Sequence, residues 1–168
     1  RVVEQCIAAN PASKEAHLEL AMLFMHEDHA GLAERVAYHL KRSYTEGDSN
    51  FTAQYWAARH EFLFGDRQAA TNLYQRLQHS RVPPHLKKRL RGTSVAPDGS
   101  PIKYAGRVKS VHPSYCFVAS PELRADIFIP ARAFPDIEWN SVRLGVQVCF
   151  QLIFSMRGPE GTFARVKL

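Results

Sequence analysis

The sequence predicts a multidomain α + β chain: antiparallel helical hairpins over residues 1–91, then a small five-stranded β-barrel over residues 102–168. Three observations support this prediction. Apolar residues recur at helical spacing in the first part, and they recur at every second position in the last. A segment rich in Gly, Pro, Ser and Asp, at 92–101, separates the two as a linker or long turn.

Composition and charge exclude several classes of protein. Hydrophobic residues make up 45% of the chain and charged residues 23%, so collagen-like and disordered classes are excluded. No apolar run approaches the roughly 18–20 residues that a membrane-spanning helix needs, so we expect no membrane partner. Three scattered cysteines favour a reducing, cytoplasmic location. The net charge of +6 permits a polyanionic partner without requiring one.

A helical pattern is already under way at the first residues, and the first residue is not methionine. Its apolar positions are Val2, Val3, Cys6 and Ile7, and the dipeptide Asn10-Pro11 ends it. We therefore expect this chain to be a C-terminal fragment of a longer protein, whose missing N-terminal region could be catalytic.

Two stretches of the helical part match each other at an offset of 37 residues. The matching pairs are Ala21 with Ala58, Ala33 with Ala70, and Leu40 with Leu77. Small residues let two helices approach closely where they cross, which predicts paired helices in each unit. Turns are predicted at Glu27-Asp28, at 47–50 and at Gly65-Asp66, with Asn50 as an N-cap.

This pattern resembles the tetratricopeptide repeat over about residues 1–84, as two repeats and the end of an earlier one. The match is incomplete, because Ala58 and Glu61 replace the Gly-Tyr signature and the period exceeds the usual 34 residues. The resemblance implies a module that binds a protein partner or spaces other domains. The alternative is a generic array of helical hairpins without a peptide-binding groove.

After the break, short alternating segments predict five strands separated by Pro and Gly turns, as in a small β-barrel. These strands are expected at 103–112, 114–119, 125–130, 145–155 and 161–167. Inward positions are expected for Cys116, Val118, Ile127 and Ile129. Alternation then places Tyr115, Phe117 and Phe128 on the opposite face.

Five segments of this part, in order, resemble a cold-shock domain, a five-stranded OB-type barrel that binds single-stranded nucleic acid. They lie at 106–109, 114–118, 126–129, 144–150 and 158–166, and they cover nearly all of 102–168. The resemblance implies that bases stack on Tyr115, Phe117 and Phe128, with Lys109 matching the family's lysine. Arg107 and Lys103 alternate onto the same face as Lys109, as a phosphate track requires.

The sequence also departs from that family. Ser110 and Val111 replace Trp and Phe, and Pro130 and Ala131 replace His and Phe. Half of the stacking platform is therefore missing. Trp139, in the loop between the third and fourth strands, is expected either to supply a replacement aromatic or to pack against the end of the barrel.

A second basic patch precedes the linker and contains no acidic residue. Its members are Arg81, Lys87, Lys88, Arg89 and Arg91, with His85 among them. This secondary patch either extends the phosphate path or forms a solvated cap on the last helix.

The expected function is thus binding of single-stranded RNA or DNA by base stacking, with the repeats contacting a protein partner or acting as a spacer. The alternative is an interaction scaffold whose barrel binds no nucleic acid. No catalytic residue, metal site or cofactor is predicted. His26-Glu-Asp-His29 has no second ligand cluster, and His60-Glu61 lacks the second histidine of a metalloprotease helix. We expect this fragment not to be an enzyme.

Overall fold

A computed structural model describes residues 2–167, with helices in the first half of the chain and antiparallel strands in the second. The chain divides into two units. The helical unit runs to Leu90 and includes Met156–Gly158, and the strand unit comprises Arg91–Ser155 and the residues from Pro159 onward. The mixed α + β class is therefore confirmed. No helix in the described part of the chain is long and apolar enough to cross a membrane.

The helical unit contains six helices in which successive helices pack against each other from α1 to α5. They are α1 (Val2–Ala9), α2 (Lys14–Asp28), α3 (Ala33–Leu40), α4 (Phe51–Phe64), α5 (Arg67–His79) and α6 (Pro84–Arg89). Paired helices were predicted to approach each other closely at small residues. Two of these residues, Ala21 of α2 and Ala58 of α4, are completely buried. Ala70 is buried as well, whereas Ala33, its counterpart in the repeat, is half-buried.

Polar side chains cap the helices of this unit. Ser13, Asn50 and Asp66 each accept a hydrogen bond from a backbone N–H in the first turn of α2, α4 and α5. The Asn50 cap is thereby confirmed. The predicted turn at Glu27-Asp28 is wrong, since both residues lie in α2. The turn comes later because Asp28 holds it: its carboxylate accepts from Gly31 N at 2.9 Å, and its carbonyl accepts from Leu32 N at 2.9 Å.

Two histidine pairs lie inside the helical unit. His17 Nδ1 and His39 Nδ1 are 2.8 Å apart, and His29 Nε2 and His60 Nδ1 are 3.0 Å apart. Two cationic rings would point N–H groups at each other, so each pair accommodates one bridging proton. Burial, reinforced by His60 and Arg59 and opposed by Asp28, lowers the pKa of His29 to about 3. Burial also lowers the pKa of His60 and of His39.

The strand unit is a six-stranded antiparallel sheet rather than the predicted five strands. Its strands are β1 (Gly92–Thr93), β2 (Lys103–His112), β3 (Tyr115–Ser120), β4 (Ala125–Pro130), β5 (Gln147–Ser155) and β6 (Gly158–Val166). They pair in the order β1-β5-β2-β3-β4, and β6 pairs with β5. Within the described residues no ladder joins β4 to β6. The backbone of β6 at Gly161 nevertheless lies close to the side chain of Ile129 in β4, because a Cβ added at Gly161 would lie 2.5 Å from Ile129 Cγ1.

The segment 92–101, predicted to be a linker or long turn, begins with strand β1 of the sheet. Gly92 pairs with Phe154 and Thr93 with Ile153, so β1 belongs to the sheet. The rest of the segment folds back on itself, as Val95 pairs with Pro101 and Ala96 N donates to Ser100 O at 2.8 Å. Gly and Pro in the sequence indicated the turn, but they could not indicate that its ends are hydrogen-bonded.

Acidification is expected to destabilise the helical unit through the His29–His60 pair. His29 titrates near pH 6.5 when unfolded and near pH 3 when folded, so the unfolded state binds more protons between these values. The stability that neutral His29 contributes is therefore fully present above about pH 6.5. It is lost as the pH drops towards 3, by up to about 1.4 kcal/mol per pH unit for one such group. Lys41 also disfavours the charged form of His60, while Glu61 favours it.

Urea unfolding followed by helical circular dichroism, between about pH 7 and pH 4, measures this slope. The variant His29→Phe keeps a ring in place and removes the titration, so its pH dependence should be shallower. Equal slopes in the two proteins would contradict the assignment.

Candidate nucleic-acid interface

The outward face of β2, β3 and β4 is built from rows of directly paired residues. Ser110 pairs with Phe117, and Phe117 pairs with Phe128. The next row begins with His112, which pairs with Tyr115. Because directly paired residues of antiparallel strands point to the same face, these rows share one surface.

The opposite face of the same strands forms the core. Cys116, Val118, Ile127 and Ile129 are at most 1% exposed, which confirms the predicted inward set. Tyr115, Phe117 and Phe128 alternate with these residues and are half-buried. The outward direction of the three aromatic side chains is therefore as predicted.

The three rings contact one another. Ring centroids are 5.2 Å apart for Tyr115–Phe128, 5.7 Å for Tyr115–Phe117 and 6.0 Å for Phe117–Phe128. The Tyr115–Phe117 and Phe117–Phe128 pairs meet edge to face, at interplanar angles of 86° and 66°. These are favourable aromatic geometries, in which the rings hold one another in place.

His112 is a fourth member of this surface that sequence reasoning missed. Its ring stacks on Tyr115 at 4.3 Å, with 19° between the planes, and its side chain is exposed. We call His112, Tyr115, Phe117 and Phe128 the aromatic platform. Ser110, where the resemblance predicted a Trp, lies directly opposite Phe117.

A β-bulge explains why alternation could not place His112. The register of β2 against β3 shifts between Val108 and Ser110. Before the shift the even-numbered Tyr104, Gly106 and Val108 face inward; after it, Ser110 and His112 share the outer face. Gly106 allows the close approach next to the bulge, since a Cβ there would lie 2.5 Å from the carbonyl oxygen of Ala119.

The predicted phosphate track is partly neutralised. Lys109 Nζ lies 2.5 Å from Asp126 Oδ2, and both side chains are exposed. Arg107 Nη1 donates to the carbonyl of Gly145 at 3.3 Å, and Lys103 is exposed. Exposed ion pairs contribute about 0–1 kcal/mol, so a phosphate competes readily with Asp126 for Lys109.

Trp139 ends a short helix, α7 (Asp136–Trp139), and is half-buried. Its ring centroid is 5.5 Å from that of Phe134, which is buried. Its indole thus packs against the sheet unit, and it also lines a cleft together with His112. The packing expectation therefore describes its position, and its role as a replacement aromatic stays a prediction.

The secondary basic patch is solvent-exposed. Exposed side chains are found at Arg81, His85, Lys87, Lys88, Arg89 and Arg91. Three of these cations occupy the last turn of α6, where positive charge is favourable next to the helix carboxyl end. Helix stabilisation therefore accounts for part of the patch.

The described residues contain no group of three or more His, Cys, Asp and Glu side chains that could hold a metal ion. The His26–His29 segment belongs to the end of α2 and the turn after it, and His29 faces His60 rather than His26. Three statements remain predictions from the sequence: that the chain uses no cofactor, that it is not an enzyme and that it is cytoplasmic.

Comparison with known proteins gives the chain no family. No protein-family model matches it, and no curated protein matches it.

Neighbouring residues of β4 allow a test of which side chains are core and which are platform. Ile129→Ala is expected to cost about 2–5 kcal/mol, because Ile129 is completely buried. Phe128→Ala is expected to cost only about 1–2 kcal/mol despite removing more atoms, because its ring faces outward and is half-buried. Urea unfolding of both variants measures the difference. A larger loss for Phe128→Ala would show that the ring is part of the core.

Proposed function

We propose that the strand unit is a cold-shock-like domain of the OB type that binds single-stranded RNA or DNA by stacking bases on the aromatic platform. One observation carries the proposal: four rings, each in contact with at least two of the others, lie on the outward face of adjacent strands. Their side chains are not taken up by the core on the opposite face of those strands.

The energetics of stacking suit such a surface. A base stacked on an aromatic side chain contributes about 1–3 kcal/mol, and every base has a face that can stack. Several rings in sequence therefore give useful affinity with little sequence preference. Because Tyr115, Phe117 and Phe128 already fix one another, little rotamer entropy is lost when a base arrives.

The strand order supports the OB-type assignment. Strands β2, β3 and β4 follow one another as neighbours, and β5 returns to pair with the free edge of β2. The approach of the β6 backbone at Gly161 to the Ile129 side chain of β4 is what a barrel closing through these two strands would need. An OB-type barrel places its nucleic-acid site on the face of its central strands, which is where the aromatic platform lies.

The positive side chains near the platform supply the electrostatic part. Arg107 lies in the row that contains Asp126, and Lys103 lies further along the same strand. Binding should weaken as salt rises, because each phosphate contact releases counterions. Asp126 offsets only the charge of Lys109, so Arg107 and Lys103 leave this part of the face net positive.

A second candidate function follows from the Lys109–Asp126 ion pair beside the rings. A surface of aromatic rings next to a neutralised lysine also suits a protein partner, since aromatic residues are enriched and charged residues depleted at interface cores. In that case the chain is an interaction scaffold, with tetratricopeptide-like repeats in the helical unit binding a further protein or separating domains.

Fluorescence anisotropy with labelled single-stranded RNA and DNA of roughly 12 nucleotides tests the proposal, with duplexes for comparison and at two salt concentrations. We expect the combined variant Tyr115→Ala, Phe117→Ala, Phe128→Ala to lose at least about tenfold in affinity for single strands, because three stacking contacts are removed.

Phe163→Ala is the matched control, since Phe163 is 69% exposed, lies in the strand unit and has no contact with the platform rings among the ring pairs described. It should bind as the wild type does. Binding that is unchanged in the combined variant, or absent at low salt in the wild type, would reject base stacking and favour the scaffold.

A further inference from the structure

A cleft of about 420 Å³ opens beside the aromatic platform. One wall is the turn between β2 and β3, and the other is the chain that leads from α7 towards β5. Its lining consists of Val111, His112, Pro113, Trp139, Asn140, Val142 and Arg143. The volume lies within the range of roughly 300–1,000 Å³ that is usual for small-molecule sites.

The cleft and the aromatic platform share His112. This ring lines the cleft and also stacks on Tyr115 at 4.3 Å. A strand whose bases stack on Phe128, Phe117 and Tyr115 is therefore led past His112 to the mouth of the cleft. The next nucleotide along that path is the natural occupant.

The second wall is held in place by its own contacts. Val142 is buried, and its N–H donates to the carbonyl of Trp139 at 3.1 Å. Glu138 ties α7 to β6, because its carboxylate accepts from Val166 N at 2.9 Å and from Arg165 Nη1 at 3.1 Å. Trp139 packs on the buried Phe134. The cleft is thus formed before any ligand binds, which lowers the entropic cost of binding.

The chemistry of the lining fits a nucleobase attached to a phosphate. The indole of Trp139 and the imidazole of His112 offer flat surfaces, and Val111, Pro113 and Val142 are apolar. Asn140 is exposed and carries both a donor and an acceptor, the combination that reads a base edge. Arg143 is exposed and none of the described residues that line the cleft is a carboxylate, so a phosphate is not repelled.

We propose that this cleft takes one unstacked nucleobase of the bound strand and that Asn140 gives it a base preference at that position. The proposal rests on the proposed single-strand binding. It adds to it a sequence-reading site outside the platform, in which Trp139 stacks on the base, Asn140 reads its edge and Arg143 meets the adjoining phosphate.

The test uses the whole chain and RNA and DNA strands of one uniform base, in which a single nucleotide is replaced in turn by each other base or by an abasic site. For the wild type we expect one position where the replacement changes affinity by about five- to tenfold, as one well-formed base contact gives. Asn140→Ala should remove that difference and keep the affinity for the uniform strand within about threefold. Trp139→Ala should lower the affinity about tenfold for strands that carry a base at that position.

Ser141→Ala is the matched control, because Ser141 is exposed, adjacent in sequence and not part of the lining. Trp139→Phe, which keeps a flat ring on Phe134, should retain most of the affinity and so separate stacking from folding. A base preference that survives Asn140→Ala, or full affinity in Trp139→Ala, would overturn the proposed nucleobase site in the cleft. Base stacking on the aromatic platform would still stand as a proposal. A wild type that binds no single strand overturns both.

Discussion

The bulge between Val108 and Ser110 is the constraint on which the proposed interface depends. Without it, the alternation of β2 would continue and turn His112 towards the core. The bulge adds one residue to β2, so Ser110 comes to pair with Phe117 and His112 with Tyr115. A single backbone irregularity thus extends the row of aromatic rings from β3 and β4 onto β2, and brings His112 to the edge of the cleft.

Charge and aromatic surface are divided between rows of the same face. The row that contains Arg107 also contains Asp126, and Asp126 pairs with Lys109. The rows nearer the β2–β3 turn carry the rings and no acidic side chain. A strand lying across the face would therefore meet rings at one end and a net positive cluster at the other, so stacking and phosphate contacts would act on different parts of the strand.

Periodicity in the sequence was sufficient to predict which residues of β3 and β4 face the core and that paired helices precede them. Cys116, Val118, Ile127 and Ile129 are buried because a two-residue period leaves no other arrangement, and Ala21 and Ala58 are buried because only small residues fit where helices cross. Asn50 caps α4 because its short side chain accepts a hydrogen bond from Ala53 N in the first turn.

The features that the sequence did not predict depend on contacts that no local pattern reveals, most of them between residues distant in sequence. No local pattern distinguishes a bulge from regular alternation, so His112 was missed. The pairing of Gly92 and Thr93 with β5 spans about 60 residues, and the ion pair that occupies Lys109 joins β2 to β4. The turn after α2 was misplaced because Asp28 closes it from within the helix. The cleft at Trp139 likewise joins two segments that the sequence keeps apart.

Photo-crosslinking tests the central claim most directly, because it reports which side chains touch the bases. The whole chain would be irradiated with a single-stranded oligonucleotide that carries a photoreactive pyrimidine, and the linked residues would be located by mass spectrometry. We expect links to the residues of the aromatic platform, which are His112, Tyr115, Phe117 and Phe128. Links confined to the secondary basic patch, or to the helical unit, would contradict it.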